Sequence, residues 1–147
     1  MCAAAFAAIS IFASCSKEDD GSSYYPSALV GVWREVKVVE YEKDGDRWVM
    51  AGELVYPADY TGVLSLSAEG LYSDTVLDLA FDDWDGYYKV INNTIYLYWD
   101  KDMTDEEIIK EGEPMYIELL TDTELVLVAY ENYKNGIKYE AYYVRVY

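Results

Sequence analysis

The sequence predicts an all-β domain, an antiparallel meander that closes into a barrel of about eight strands. Apolar and β-branched runs alternate with turn signals at short, even spacing, which is typical of an all-β chain. The connectors, among them Asn92-Asn93 and Asn135-Gly136, carry residues that tolerate the positive φ of tight hairpin turns. A two-sheet sandwich fits the same pattern, but closing a barrel removes exposed strand edges more completely.

Nine segments are predicted to be strands, and one short segment is predicted to be helical. The strands cover Leu29 to Glu42, Arg47 to Tyr56, Thr61 to Ser67, Leu71 to Leu79, Tyr87 to Ile91, Thr94 to Trp99, Met115 to Leu120, Glu124 to Glu131 and Ile137 to Tyr147. In the acidic loop 100–113, Thr104 and Glu107 have the spacing of a capping box, which predicts a short helix over Thr104 to Lys110.

Composition limits the classes of function. A chain of 147 residues with 52% apolar residues and 17 Tyr is expected to form one packed domain. Its net charge of −17 would repel nucleic acid, so we expect no nucleic-acid partner. With no His, and Cys2 and Cys15 as its only cysteines, the body offers no disulfide and no thiolate metal site. We therefore expect no metal and no cofactor, and we expect a monomer.

The first residues have the pattern of an export signal. From Cys2 to Ser14 the chain is small and apolar, shorter than the ~20 residues of a membrane-spanning helix but typical of the apolar region of a secretion signal. The segment "FASC", Phe12 to Cys15, resembles the lipobox of bacterial lipoproteins, in which the cysteine receives the lipid. That resemblance implies a lipid anchor on Cys15, and a plain export signal is the alternative.

The residues that follow are predicted to be a tether. Ser16 to Asp20, "SKEDD", and the Gly and Ser residues after it are polar and flexible. The run resembles the acidic signal that sends some bacterial lipoproteins to the outer face of the outer membrane. We expect a signal peptide over 1–14, a lipidated cysteine and tether over 15–27, and the barrel domain over 28–147. The expected location is the outer membrane at the cell surface, with a periplasm-facing protein as the alternative.

Two features of the lipobox differ from the usual form. Phe12 stands where the lipobox has leucine, and no basic residue precedes the apolar run. We therefore expect that the natural start lies upstream of Met1.

The first predicted strand resembles that of the lipocalins. The segment "LVGVW" matches their GxW signature with Gly31 and Trp33. In that family the tryptophan closes one end of the barrel and an arginine near the C-terminus packs across its ring, a role that the resemblance gives to Arg145. Phrases such as "YYKVINNTIYLYW" resemble bacterial lipocalin-like lipoprotein domains over most of residues 28–147. The resemblance implies non-covalent binding of a small apolar or amphipathic ligand.

Catalysis is not expected, because the usual nucleophile and base pairs need His or a free Cys. Carboxylates remain, and Asp82, Asp83 and Asp85 surround Trp84 in "DDWDGYY". Two carboxylates beside a sugar-binding aromatic ring are what a glycosidase needs. A carboxylate-dependent glycan hydrolase is therefore one alternative function, and an accessory subunit of an outer-membrane assembly is another.

Tyrosines form a second candidate binding surface. Residue alternation puts Ile95, Leu97 and Trp99 on one face of their strand and Tyr96 and Tyr98 on the other. If the aliphatic face is internal, these tyrosines point outward. The same argument places Tyr88 and Val90 inside and Tyr87 outside. Tyr87, Tyr96, Tyr98 and Trp84 are thus candidate contacts for a ligand, a surface glycan or a protein partner.

Overall fold

The computed structural model describes residues 26–76, 85–131 and 136–146. The elements are β1 (Gly31–Asp44), β2 (Arg47–Val55), β3 (Gly62–Leu66), β4 (Leu71–Val76), β5 (Gly86–Ile91), β6 (Thr94–Tyr98), α1 (Asp105–Glu111), β7 (Glu113–Leu120), β8 (Glu124–Glu131) and β9 (Ile137–Arg145). All pairings are antiparallel, and eight strands close into a barrel. The predicted fold class is confirmed.

β1 closes the barrel because it shares one of its edges between two strands. Residues 31–34 pair with β3, and residues 37–44 pair with β2 along the same edge. The opposite edge of β1 pairs with β9. The circuit therefore runs through β1 and β3 to β9, while β1 and β2 form a hairpin that continues the sheet beyond it.

Turn chemistry sets the register of the hairpins. Asn92 and Asn93 have φ of 49° and 63°, as the tight turn between β5 and β6 requires. Gly45, with φ of 61°, occupies the same left-handed region between β1 and β2. These are turns that the sequence predicts.

One end of the barrel is filled by packed side chains. The buried cluster consists of Leu29, Trp33, Leu64, Leu66, Tyr88, Ile95, Leu125 and Leu127. Trp33 is fully buried, and its indole N–H donates to the carbonyl of Leu29 at 2.8 Å. The turn at residues 26–29 thereby closes this end from below.

Arg145 holds the closed end together. Its guanidinium carbon lies 4.2 Å from the centroid of the Trp33 ring. Its N–H groups donate to the carbonyls of Ala28, Val30 and Asp122, the last two at 2.7 Å. One side chain therefore joins the start of the domain, the β7–β8 turn and the last strand.

The predicted helix is present on the outside of the barrel. Thr104 accepts from the backbone of Glu107, whose carboxylate accepts from the backbone N–H of Thr104, so the capping box is complete. Ile108 is buried beneath α1, and Lys89 on β5 pairs with Asp105 at 2.5 Å. Among the described residues, no helix has the length and apolar character needed to cross a membrane.

We predict that Arg145→Ala lowers the free energy of unfolding by about 3 kcal/mol, because three carbonyls lose a charged donor and Trp33 loses its stacked cation. Urea unfolding followed by tryptophan fluorescence measures the change. The free energy of unfolding of Arg145→Lys should lie between those of the unmodified protein and Arg145→Ala, since lysine keeps the charge but not the planar guanidinium group.

The matched control is Lys110→Ala, which removes an exposed cation whose pair with Glu111 spans 3.4 Å. Its effect should stay below about 0.5 kcal/mol. Equal losses for Arg145→Ala and Lys110→Ala would contradict the role given to Arg145.

Candidate functional site

The inner face of the barrel continues as an open surface beyond the closed circuit. Paired residues form four cross-strand rows that run outward from β8, the first to β1 and the others to β2. The first two rows start from the core residues Leu125 and Leu127. The rows are Leu125–Tyr143–Glu35, Leu127–Ala141–Val38–Leu54, Ala129–Tyr139–Glu40–Gly52 and Glu131–Ile137–Glu42–Val49. We call the last three rows the inner wall.

Bulges decide which side chains belong to this face. Val36 is an extra residue of β1 opposite β9, so Val38 and not Lys37 shares the face of Glu35. Ala51 is a second extra residue, on β2 opposite β1. The lysines of the hairpin therefore point outward, while Glu40 and Glu42 point along the inner wall.

The inner wall includes an apolar row, Leu127–Ala141–Val38–Leu54, and opens to solvent toward β2. In the row that begins at Leu127, exposure rises from 2% at that residue to 56% at Leu54. Val49 is 50% exposed in the outermost row. Ala129, Ala141 and Gly52 have small side chains or none, so the middle of the wall has room for a molecule to lie against it. A surface of this kind is typical of a binding site.

Glu35 brings a carboxylate to the base of the inner wall. Burial raises its pKa from 4.5, the nearby Asp74 adds to that rise, and hydrogen bonds from the hydroxyls of Tyr56 and Tyr143 oppose it. No cation is among the groups that act on its pKa. Among the described residues, the groups that act on this pKa are two neutral hydroxyls and a second carboxylate, and none of them offsets the charge of Glu35.

Tyrosines and a second carboxylate complete this polar base. Burial, followed by Glu35, raises the pKa of Tyr56 to about 12, and the Tyr56 ring stacks on Tyr60 with centroids 4.1 Å apart. Tyr143 is packed against the core, where burial raises its pKa further. Asp74 on β4 is exposed, yet partial burial of its carboxyl group and the nearby Asp85 raise its pKa.

Of the carboxylates proposed for catalysis, Asp85 alone lies within the described residues. Asp82, Asp83 and Trp84 lie outside the described residues. Asp85 accepts from the Ser73 hydroxyl at 3.1 Å and from the backbone N–H of Asp74 at 2.7 Å, and so links the middle of β4 to the start of β5. Within the described ranges, no group of three or more acidic, His or Cys side chains is placed to hold a metal ion.

The outer face of the hairpin and of β7 to β9 is aromatic, and many of its polar groups form hydrogen bonds or ion pairs with one another. Glu140 accepts from Lys138 at 2.7 Å, from Tyr142 at 2.9 Å and from Tyr41 at 3.0 Å. These hydrogen bonds outweigh burial and lower the pKa of Glu140. The ammonium of Lys138 lies 4.0 Å from the ring centroid of Tyr41. We call this set the outer cluster.

Further aromatic rings extend the outer cluster toward β7. Trp48 packs on Tyr130 with centroids 5.8 Å apart, and Tyr130 meets Tyr116 edge-on at 5.6 Å. On the other side, the ammonium of Lys37 lies 4.1 Å from the ring of Tyr142 and pairs with Glu53 at 3.5 Å. Sequence reasoning missed both this cluster and the inner wall, because each joins residues from strands far apart in the chain.

The candidate tyrosines on β5 and β6 lie beside the helix. Tyr87 and Tyr98 stack with centroids 5.7 Å apart, and Tyr98 is only 8% exposed. Tyr96 is partly exposed and adjoins Gly112 at the end of α1. Tyr88 and Ile95 are buried in the core, as alternation predicts. Trp99 differs from that expectation: it follows the last residue of β6 and is 65% exposed.

The predicted signature residues meet at the closed end. Gly31 begins β1 with φ of 148°, and Trp33 and Arg145 are the stacked pair described above. Cys15, the predicted lipidation site, lies outside the described residues. No known family model matches this sequence, and no curated protein gives a significant match.

The raised pKa of Glu35 predicts a pH-dependent effect on stability. For a carboxyl group whose folded pKa lies above its unfolded value, the protein loses stability as the pH rises from the unfolded to the folded pKa, and the loss is complete above the folded pKa. We predict that Glu35→Gln raises the urea midpoint at pH 7, because the amide carbonyl still accepts from the tyrosines without the charge. The gain should shrink as the pH falls through the folded pKa and vanish below 4.5, the unfolded value.

Glu118→Gln is the matched control for this measurement, since Glu118 is exposed on β7. It should change the midpoint little at any pH. A lower midpoint for Glu35→Gln at pH 7 would mean that the charge of Glu35 is compensated after all.

Proposed function

We propose that this chain is a membrane-anchored lipoprotein whose barrel binds a small amphipathic ligand without catalysis. The observation that carries the proposal is the inner wall, an exposed apolar surface that continues from the core and has a polar group, Glu35, at its base. Such a surface offers one end of a ligand apolar contact and the other end hydrogen bonds. The closed end is filled by Trp33 and its neighbours, so we place the ligand site at the opposite, open end.

The outer cluster is a less suitable ligand site than the inner wall. Its charged groups are paired, and its lysines lie over aromatic rings. Residues of the inner wall such as Leu54 and Val49 are about half exposed. The outer face of β2 also has exposed apolar residues, Met50 at 61% and Val55 at 60%, so we choose the inner wall because its apolar row adjoins the carboxylate of Glu35.

The anchor is proposed from the sequence of the first twenty residues, and the fold is compatible with it. Leu29, just before β1, packs at the closed end, whereas the hairpin turn lies at the far end of the fourteen-residue β1. At ~3.3 Å per residue the strand is about 45 Å long. A tether that joins the domain at the closed end leaves the inner wall at the end remote from the attachment point.

The ligand proposal predicts that Leu54→Asn weakens binding of octyl glucoside, a neutral amphiphile, about fivefold, because part of a leucine contact is lost. Calorimetric titration of the full chain below the micelle concentration measures the affinity. Leu54 is 56% exposed, so the variant should still fold.

Val55→Asn is the control, since Val55 follows Leu54 on β2, is 60% exposed and faces the outer side opposite Lys37. It should leave the affinity unchanged. Equal losses in the two variants, or no binding by the unmodified chain, would refute the inner wall as the ligand site.

The anchor proposal predicts that Cys15→Ala moves the protein from the membrane fraction to the soluble fraction, because the lipid has no attachment point. Fractionation of expressing bacteria, followed by immunoblotting, measures the distribution. Cys2→Ala, the other cysteine variant, should remain with the membranes. Retention of the Cys15→Ala protein in the membrane fraction would overturn lipidation at this residue.

A further inference from the structure

The inner wall and the outer face of the same hairpin differ in the charged residues they carry. Lys37 and Lys43 alternate onto the outer face, and Lys138 of β9 joins them there. Glu40 and Glu42 alternate onto the inner wall, with Glu131 at the end of β8. These three lysines therefore lie on the outer face, where Lys37 pairs with Glu53 and Lys138 with Glu140, and not beside the inner carboxylates.

A hydrogen bond and the strand pairing place the carboxylates of Glu131 and Glu40 on the inner wall. The Tyr139 hydroxyl donates to Glu131 at 3.0 Å, and this bond is the largest cause of the raised pKa of Tyr139. Glu40 pairs with Tyr139 across β1 and β9, so the two residues share a face, and the charge of Glu40 also raises the pKa of Tyr139. The described basic residue that alternates onto this face is Arg47, opposite Asp44 beside the hairpin turn.

The apolar row of the inner wall has a carboxylate on each side of it along β1. Glu35 lies below the row of Ala141, Val38 and Leu54, and Glu40 lies above it. A neutral apolar ligand on this row would bring these carboxylates close to hydrocarbon without providing a counter-charge, which is unfavourable. A ligand with a positive charge would supply the counter-ion that Glu35 lacks.

We propose that the ligand of the inner wall is a cationic amphiphile, a small molecule with an ammonium group and an apolar chain. The apolar chain lies on the row of Ala141, Val38 and Leu54, and the ammonium group meets the carboxylates of Glu35 and Glu40. This inference rests on the proposed function and adds the charge of the ligand to it. The net charge of −17 acts in the same direction by attracting cations to the whole domain.

The test compares three probes with the same eight-carbon chain: octyltrimethylammonium, octyl glucoside and octanoate. Titration calorimetry of the full chain, below the micelle concentrations and at constant ionic strength, measures each affinity. We expect octyltrimethylammonium to bind about tenfold more tightly than octyl glucoside, and octanoate to bind most weakly. The double variant Glu35→Gln and Glu40→Gln should reduce the ratio of cationic to neutral affinity to about twofold.

A matched variant separates this local effect from the general attraction of an acidic protein. Glu53→Gln together with Glu118→Gln removes two carboxylates that lie outside the inner wall, one on the outer face of β2 and one on β7. It changes the net charge by the same amount, and the ratio should stay near tenfold. An equal fall of the ratio in both double variants would overturn the inference, because the preference would then come from net charge.

The outcomes for the two proposals differ. If octyl glucoside and octyltrimethylammonium bind equally well and Leu54→Asn weakens both, the inner wall binds amphiphiles but the inference of a cationic ligand is wrong. Tighter binding of octanoate would overturn it as well. If none of the three probes binds, the proposed function itself fails.

Discussion

The double use of one edge of β1 is the constraint on which the rest of the structure depends. A strand edge can pair with only one partner at each residue, so pairing with β3 over residues 31–34 and with β2 over residues 37–44 divides the strand into two parts. The first part belongs to a closed barrel. The second part belongs to a sheet whose inner face carries exposed side chains such as Leu54 and Val49, and the inner wall follows directly from that division.

The barrel is closed at one end by packed side chains, and this packing lets the other end stay open. The stacked pair of Trp33 and Arg145, with the buried cluster around it, fixes the barrel where the strands are all paired. The hairpin then needs stabilisation of its own, and the outer cluster supplies it through the contacts of Glu140, Lys138 and Trp48. Because the outer face holds the hairpin in place, the inner face is left for another role.

Much of the fold could be predicted from the sequence, and the site could not. Strands and turns follow local rules, so Asn92-Asn93 and the capping box of Thr104 are visible in a single sequence. Alternation also placed Tyr88 inside, since β5 pairs with β6 without a bulge. A bulge cannot be found in this way. The extra residue Val36 changes the face of every later residue in β1, and without it Glu40 would be assigned to the outer surface.

The position of Glu35 suggests why the inner wall serves binding better than stability. A half-buried carboxylate whose described neighbours are neutral donors and another carboxylate costs free energy in the folded protein, and a glutamine of the same shape would avoid that cost. A barrel selected for stability alone has no use for such a group at the base of an open apolar surface. A ligand that supplies the missing charge would recover the cost only when bound, and the unfavourable state of the free protein would then contribute to its affinity.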